Sequence, residues 1–453
     1  MKKIFHKYLI AIMVIIVTIC SWNIQWGGKR WQSIVQSDGK GYYAYLPAIF
    51  IYHDLNFGFF EKIEMEYYSV NTYYDYRGTH NHQTIDKYYS GSAIAMLPFF
   101  LIAHGLSLVN EMPADGYSKI YPIFVNIAAI FYLFIGLVFL RRILKKFEAS
   151  DWQTALILVA ITFGTNLFYY SFSEPALSHI YSFAFINLFV YYFIKFKDEK
   201  RLKWLLLTSA SLGMIVLIRP VNILVVAALP FITGNLNDLK QIASFIFKKT
   251  KWLIASLVLF FTITFIQNIL YKIECGDFFV DSYPGESFYW SHPQLFNILF
   301  SYKKGLFLYT PMFFISLAGF IYLFRNNKFR FYSLFIFLLV ITYVFSSWWC
   351  WYYGGSFSGR PYVEYIFAFA LLLLFSIKLL EKKSVLRKIY ISMIVLLIAV
   401  CQLQTYQYRY YFIHWSNMDK EHYWRVFMRV DLIKKNENPN KDLLNSPQYL
   451  QKK

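Results

Sequence analysis

The sequence is poor in cysteine and in the short motifs that bind nucleotides or activate water. Its four cysteines, Cys20, Cys275, Cys350 and Cys401, lie far apart without a CxxC pair, so neither a zinc cluster nor a disulfide framework is predicted. No P-loop, GxGxxG, HExxH or GxSxG motif stands at a usable position, which argues against ATP-driven transport and against serine or zinc peptidase chemistry. Charged residues make up only 16% of the chain.

Apolar residues dominate instead. Hydrophobic residues are 57% and aromatic residues 22% of the 453, and apolar runs of about 20 residues recur along the whole length. This composition predicts an all-α polytopic membrane protein. The first run follows three lysines, as in a signal peptide, but it lacks a small-residue cleavage site and further spans follow, so an uncleaved first helix is expected.

The net charge of +19 does not indicate nucleic acid, because the basic residues form short clusters between apolar runs instead of one continuous patch. Clusters of this kind set the orientation of membrane proteins, since Lys and Arg stay on the cytoplasmic side. Six clusters are therefore expected in the cytoplasm: 2–7, 141–146, 195–203, 240–251, 325–330 and 378–388. The segment 25–117 carries six Lys/Arg against nine Asp/Glu and is expected outside.

Counting spans under this constraint predicts about eleven transmembrane helices, if the apolar run Gly91–Val109 lies in the outer interface instead of crossing. The multi-pass domain is then 1–405, with the outer loop 25–117, and the tail 406–453 lies outside. The expected location is the inner cell membrane, with the active face periplasmic. The predicted crossings are 8–24, 118–140, 153–171, 176–194, 203–218, 220–234, 252–272, 305–324, 331–347, 362–380 and 388–405.

One carboxylate stands just beyond the first span. Asp38 lies in the segment 36–47, among glycines and tyrosines that do not form a stabilising helical pattern. An ionisable group at the membrane boundary costs free energy unless something uses or neutralises it. Asp38 is therefore the leading candidate for a catalytic residue. The alternatives are a carboxylate that caps a helix start or one that pairs with Lys40.

The other residues capable of chemistry fall on the same predicted outer side, whereas the cytoplasmic loops offer little but charge. His80 and His82 could share a metal only from an extended segment, so no metal is assigned, and a divalent cation is left open as a cofactor. The outer segments are 73–89 with Asp86, the turn 173–179, Arg219 with Pro220, the loop 274–304 and the stretch 346–361.

This order of elements resembles the GT-C superfamily of polyprenyl-phosphate-sugar-dependent glycosyltransferases, such as protein O-mannosyltransferases and the bacterial aminoarabinose transferase of lipid A. The shared features are a first helix, an acidic residue in the long outer loop after it, interfacial helices and a similar number of spans. Asp38 matches the family's acidic residue, and Arg219 with Pro220 stands where those enzymes have a basic residue in a short helical hairpin. Many relatives carry an Asp-Glu pair where this chain has Asp38 and Gly39, so only one carboxylate transfers.

The resemblance implies that an acceptor hydroxyl or amine attacks a sugar on a polyprenyl phosphate, with Asp38 as the base or as the group that orients the nucleophile. The leaving lipid phosphate needs cationic donors, and Arg219, Lys303, Lys304 and Arg360 are the available ones. Arg360 follows a glycine-rich stretch whose N–H groups could approach the same phosphate. The alternatives are an arginine that snorkels to lipid headgroups and lysines that anchor a helix end.

Further substrate contacts are expected from a turn on the predicted outer side and from aromatic side chains on the same side. Glu174 and His179 flank a turn between two spans and could bind the sugar or a metal, although a structural histidine is the simpler explanation. Rings near Trp349 can stack on sugar faces, and Tyr43 beside Asp38 is added as a contact. An aromatic belt at the outer interface explains most such rings equally well.

The sequence thus predicts an integral-membrane glycosyltransferase that moves a hexosyl or pentosyl group from a polyprenyl-phosphate sugar to a lipid, glycan or protein acceptor. Membrane lipids are expected partners and nucleic acid is not. The alternatives are an envelope glycan polymerase, a lipid or sugar transporter, and a non-catalytic scaffold for envelope assembly. A transporter would show inverted repeats and midplane charges, and only Arg219 approaches that description. In a scaffold, Asp38 would have no chemical task.

Overall fold

The computed structural model describes residues 2–67 and 74–431, and helices make up most of it. The chain divides into two compact units: the first comprises Met1–Ile143 and Tyr170–Glu286, and the second comprises Leu144–Tyr169 and Ser287–Lys453.

In chain order, the α-helices are Lys2–Ser21, Asp38–Pro47, Met65–Tyr67, Gly91–Val109, Ile120–Lys146, Asp151–Phe163, Leu167–Phe172, Ser178–Glu199, Leu202–Ile218, Leu229–Thr233, Leu236–Lys248, Thr250–Cys275, Leu295–Phe300, Leu306–Tyr309, Pro311–Ser316, Gly319–Asn326, Lys328–Ser347, Ile366–Leu379, Ser384–Arg409 and Lys420–Val426. Tighter 3₁₀ helices cover Arg30–Ser33, Pro220–Ala228 and Arg360–Tyr365, and π-helical turns cover Trp22–Trp26, Ala48–Tyr52 and Phe60–Glu64.

Within the described residues, eight helices are long and apolar enough to cross a membrane. The predicted all-α, multi-pass architecture is therefore confirmed. Gly91–Val109 is among the eight, so this run has the length and composition of a span as well as those of the predicted interfacial helix. The eight are Tyr8–Trp26, Gly91–Val109, Ile120–Lys146, Ser178–Glu199, Thr250–Cys275, Lys328–Ser347, Arg360–Leu379 and Ser384–Arg409.

The predicted crossing 153–171 is not one helix, because the chain leaves the helical path at 164–166. Thr165 explains the break. Its hydroxyl donates to the carbonyl of Ile161 at 2.6 Å and accepts from the N–H of Leu167 at 3.2 Å. A side chain that bonds the backbone in this way offers it an alternative to the helical pattern, and hydropathy does not register it.

The predicted crossing 305–324 is also wrong as a single helix. Pro311 has no N–H to donate, and Thr310 before it takes an extended φ of −133°. The proline therefore ends Leu306–Tyr309 and begins Pro311–Ser316. Likewise, the predicted crossing 220–234 is a 3₁₀ helix followed by one short α-helix.

In the first unit, Leu202–Ile218 packs against both Ser178–Glu199 and Thr250–Cys275. The last of these helices carries a buried amide, Gln267, in an otherwise apolar span. Its Nε2 donates to the Tyr45 hydroxyl at 3.0 Å, and its Oε1 accepts from the N–H of Ser90 at 2.7 Å. A polar group in this position is tolerated because both of its ends are satisfied.

The only strands in the described part of the chain, Arg77–His80 and Gln83–Asp86, form an antiparallel hairpin in the first unit with Arg77 opposite Asp86. Asn81 and His82 make its two-residue turn, with φ of 50° and 63°. Positive φ at both positions matches the right-handed twist of the strands. The hairpin returns the chain to the interior, where Asp86 is fully buried.

The second unit is organised around Ile366–Leu379. Every residue from 366 to 377 is buried, as expected for a core helix that is apolar all round. The helix Gly319–Asn326 approaches this core helix closely at Gly319. A Cβ at Gly319 would lie 2.2 Å from the carbonyl oxygen of Leu372, so only glycine fits there. Ser376 adds a hydrogen bond from its hydroxyl to the carbonyl of Ser316 at 3.1 Å.

Part of the predicted tail is folded in the second unit. The Tyr423 hydroxyl accepts from the amide of Gln404 at 2.7 Å, and its ring lies 5.6 Å from that of Tyr309. The domain boundary at 405 and the outside location of the tail stay predictions. The end of the tail, 432–453, lies outside the described residues.

Candidate active site

Asp38 is the first residue of Asp38–Pro47, here named the Asp38 helix. The expectation that 36–47 lacks helical structure is therefore wrong. The preceding residue, Ser37, has φ 49° and ψ −133°, a strained conformation of a type that costs about 1–3 kcal/mol. Strain of this kind persists only where the surroundings impose it. The half-buried carboxylate thus stands at a helix N-terminus, where the backbone N–H groups favour negative charge.

The two glycines of the Asp38 helix allow close packing on both sides of it. A Cβ at Gly39 would lie 2.7 Å from the Cβ of Ala176. A Cβ at Gly41 would lie 2.2 Å from the ring of Tyr88 and 3.0 Å from a carboxylate oxygen of Asp86. Glycine therefore appears in a helix, where it costs about 1 kcal/mol relative to alanine, because no side chain fits at either position.

The hydroxyl of Tyr88 donates a hydrogen bond to Oδ1 of Asp38 at 2.9 Å. The Tyr74 hydroxyl bonds that of Tyr88, and the rings of Tyr42 and Tyr283 lie 4.8 and 6.1 Å from the Tyr88 ring. These four tyrosines are named the tyrosine cluster. Burial raises the pKa of Tyr88 well above its ordinary value, and the negative charge of Asp38 raises it further. The hydroxyl therefore remains a donor at neutral pH.

Asp86 holds the backbone of Tyr88 in position. One oxygen of its buried carboxyl accepts the backbone N–H of Tyr88 at 2.8 Å, while the other has no hydrogen-bond partner. Burial raises the pKa of Asp86 well above its ordinary value, and the Tyr88 hydrogen bond offsets this only in part.

Lys40 forms a buried ion pair on the same helix. Its Nζ lies 3.3 Å from Oε1 of Glu64, and both side chains are 1% exposed. The Tyr76 hydroxyl donates to the other oxygen of Glu64 at 3.2 Å. Burial raises the pKa of Glu64 to about 7, although Lys40 and Tyr76 act in the opposite direction. Burial likewise lowers the pKa of Lys40. The pair fixes the helix at the expense of desolvating two charges.

Among the predicted contacts of the first unit, Glu174 lies on the turn that touches the Asp38 helix through Ala176 and Gly39. His179 follows in the first turn of the next helix, 3% exposed, with its ring edge-on to that of Tyr170 at 5.1 Å. The structure therefore brings the turn of Glu174 to the candidate base. His179 is packed as a structural histidine would be, and its contact with sugar stays a prediction.

Tyr43 and Arg219 have different surroundings. Tyr43 is 1% exposed, and its hydroxyl donates to the carbonyl of Gly116, so its burial does not favour the predicted contact with substrate. Arg219 ends Leu202–Ile218 in an extended conformation before Pro220 and is half-buried. Its predicted role at the lipid phosphate remains a prediction.

The two predicted lysines belong to the second unit. Lys303 is half-buried, with its Nζ 3.5 Å from the centre of the Tyr352 ring, and burial lowers its pKa. Lys304 is 3% exposed, donates to the carbonyl of Ser356, and lies 5.0 Å from the Tyr408 ring. Cations held against aromatic faces are partly desolvated and therefore interact strongly with an incoming anion. Anchoring at an interface would leave the ammonium group of Lys304 in water, which is not observed.

The segment 350–359, named the glycine loop, precedes Arg360 in the second unit. Tyr353, Gly354 and Ser358 all have positive φ, at 55°, 61° and 61°. Two of the three are not glycine, so the loop stores backbone strain. Arg360 begins a 3₁₀ helix and is half-buried, with its guanidinium 6.0 Å from the Tyr353 ring.

Trp349 lies just before the glycine loop and is 37% exposed. The backbone N–H of Trp349 donates to the carbonyl of Ser287 at 3.0 Å. The exposed ring is able to contact a substrate or lipid, and the predicted sugar contact stays a prediction.

No group of three His, Cys, Asp or Glu within residues 2–67 and 74–431 is arranged to hold a metal ion. His80, which the sequence suggests as a ligand, lies 3.0 Å from Asp277 through Nε2, and Asn81 donates to the same oxygen at 2.7 Å. This contact joins the hairpin tip to the chain after Thr250–Cys275.

Sequence reasoning missed Tyr88, Tyr74 and Glu64 as neighbours of the Asp38 helix. No local pattern relates residues that lie 26 to 50 positions from Asp38. The available signal was the pair of glycines around Lys40, because glycines on two faces of one helical turn indicate close packing on both.

Neither a protein-family model nor a curated protein sequence matches this chain. A comparison with solved structures finds similarity to the archaeal oligosaccharyltransferase AglB from Archaeoglobus fulgidus, in complex with an inhibitory peptide and a dolichol-phosphate. The identity is 12% and the TM-score is 0.48, over 97% of this chain and 59% of that one. The chain thus spans about three fifths of the length of AglB.

Proposed function

We propose that the protein is a membrane glycosyltransferase of the GT-C type that uses Asp38 as its base. The observation that carries the proposal is the placement of Asp38. A strained residue precedes it, a buried helix begins with it, and a buried tyrosine donates to its carboxylate. A carboxylate fixed in one place beside a tyrosine donor is suited to act as a base, which supports this role for Asp38.

In the proposed reaction, the oxygen or nitrogen of an acceptor attacks the anomeric carbon of a polyprenyl-phosphate sugar. The bond from this carbon to the phosphate oxygen breaks, and polyprenyl phosphate leaves with the bonding electrons. Asp38 accepts the proton that the acceptor loses, which makes the attacking atom a better nucleophile. The acceptor is a lipid, a glycan or a protein, and the reaction takes place on the periplasmic face of the inner membrane.

The leaving phosphate gains negative charge and requires cations. The cations proposed for this role are Arg219, Lys303, Lys304 and Arg360. Support comes from the desolvated setting of the two lysines and from the strained backbone before Arg360.

The test compares cells that carry the parent gene, no gene, Asp38→Asn or Asp54→Asn. Asp54 is the matched control, since its carboxylate accepts the N–H groups of Asn56 and Gly58 in an exposed turn. Mass spectrometry of envelope lipids and glycans measures the polyprenyl-phosphate sugar and its product, and immunoblotting measures the protein in the membrane.

Loss of the gene and Asp38→Asn should both cause the lipid-linked sugar to accumulate and one sugar to disappear from the envelope, whereas Asp54→Asn should match the parent. Purified Asp38→Asn should turn over about 10²- to 10⁴-fold more slowly, as expected for loss of a general base. Unchanged lipids and glycans in the strain without the gene would refute the transferase. Full activity of Asp38→Asn would remove Asp38 from the reaction.

A further inference from the structure

Tyr88 makes a contact with the candidate base that the proposed reaction does not by itself require. Its hydroxyl donates to Oδ1 of Asp38 at 2.9 Å, and its ring is 4% exposed. Since this hydroxyl gives its proton to Asp38, it accepts from Tyr74 in the bond between the two tyrosines. The result is a chain of donors that ends on one oxygen of the carboxylate.

The position of Tyr88 is determined by several independent contacts. The rings of Tyr42 and Tyr283 lie beside it, the carboxyl of Asp86 accepts its backbone N–H, and Gly41 leaves the space that its ring fills. These contacts hold the ring and the hydroxyl of Tyr88 in one place beside Asp38.

We infer that Tyr88 is a positioning residue, which holds the Asp38 carboxylate in one orientation and in its ionised form for proton transfer from the acceptor. This inference rests on the proposed function. A hydrogen bond to a carboxylate stabilises the charged form, and donation to Oδ1 limits rotation of the carboxylate. Tyr88 does not touch the reacting atoms and acts through Asp38.

Several groups around Asp38 can change charge. Tyr88 and Tyr283 interact electrostatically with it, and Tyr74 stands behind Tyr88. Glu174 lies on the turn packed against Gly39, and Lys40 pairs with Glu64. Replacing Tyr88 by phenylalanine removes one hydroxyl and leaves these groups in place.

The first measurement needs no substrate. Dicyclohexylcarbodiimide modifies protonated carboxyl groups in apolar surroundings, and peptide mass spectrometry reports its addition to Asp38 at each pH. In Tyr88→Phe the pH at which half of Asp38 is modified should rise by about 1–2 units, the equivalent of losing one hydrogen bond to a charged group. Tyr76→Phe is the matched control, because it removes a buried hydroxyl that donates to Glu64 instead. It should leave the Asp38 midpoint unchanged.

The second measurement is kinetic, with the full-length purified protein and the donor lipid isolated from cells that carry Asp38→Asn. Tyr88→Phe should lower kcat about 10- to 150-fold without a matching change in donor KM, and Tyr76→Phe should not. In the Asp38→Asn background, Tyr88→Phe should cause no further loss, since a residue that acts through Asp38 has no effect without it.

The outcomes separate the inference from the proposed function. An unmoved Asp38 midpoint, or an equal loss of activity in both backgrounds, would overturn the inference while leaving Asp38 as the base. If Asp38→Asn is fully active, both fail. If Tyr88→Phe lowers thermal stability no more than Tyr76→Phe but shifts the midpoint and kcat, the positioning role is supported.

Discussion

Gly41→Ala tests the geometry of the candidate site with a single added methyl group. The new Cβ would lie 2.2 Å from the Tyr88 ring, whereas an ordinary contact begins near 3.4 Å, so the ring must move by about 1.2 Å. The Tyr88 hydroxyl now lies 2.9 Å from Asp38, and a shift of this size is enough to break that hydrogen bond. No hydroxyl or carboxyl group is removed from the protein.

The expected loss is mainly one of activity. Overpacking costs about 1–3 kcal/mol of unfolding free energy, and replacing glycine by alanine within a helix returns about 1 kcal/mol, so the net destabilisation is at most about 2 kcal/mol. Turnover should fall about 10- to 150-fold, as for Tyr88→Phe, because the same hydrogen bond to a charged group is lost.

The assay measures kcat and thermal unfolding for Gly41→Ala beside Gly105→Ala. Gly105 also lies in a helix, but a Cβ there meets nothing within 4 Å, so its variant controls for the gain in helix propensity. Gly105→Ala should match the parent in turnover. A Gly41→Ala variant with the parent's kcat would refute the reasoning, because the ring and the methyl group cannot occupy the same space.

Three further predictions concern the ion pair, the donor phosphate and topology. Lys40→Met should lower the unfolding free energy by about 3–5 kcal/mol in detergent, because Glu64 is left buried without its cation, and adding Glu64→Leu should recover most of the loss. Arg360→Lys should reduce turnover about 10- to 150-fold and alter its dependence on donor concentration, since lysine supplies charge without a planar pair of donors. A membrane-impermeant thiol reagent should label a cysteine introduced at Asp75 in intact cells, and should not label one at Lys146.

Each of these has an outcome that contradicts it. A double variant of the ion pair no more stable than Lys40→Met would show that the loss comes from packing. Parent-like kinetics of Arg360→Lys would leave this residue as a membrane anchor. Labelling at Lys146 from outside would reverse the predicted orientation of the chain after Gly91–Val109 and require this run to be counted as a crossing.

The sequence alone determined the class of the protein, because that information is local. The length of each apolar run decides whether it can span a bilayer, and clusters of Lys and Arg decide which end stays in the cytoplasm. Asp38 could be singled out for the same reason, as a carboxylate next to an apolar run. The helix boundary at Pro311 was missed, although proline lacks the N–H that a continuous helix needs.

Only the tertiary structure decided what surrounds Asp38. Its partner Tyr88 lies 50 residues away, and the hairpin Arg77–His80 with Gln83–Asp86 returns the chain to it. Hydropathy reports the average character of a segment and not which side chain it meets. The break at Thr165 arises from local hydrogen bonds that hydropathy does not register. The fit of Tyr88 over Gly41 is a single contact between distant segments, which forms only when the fold brings them together.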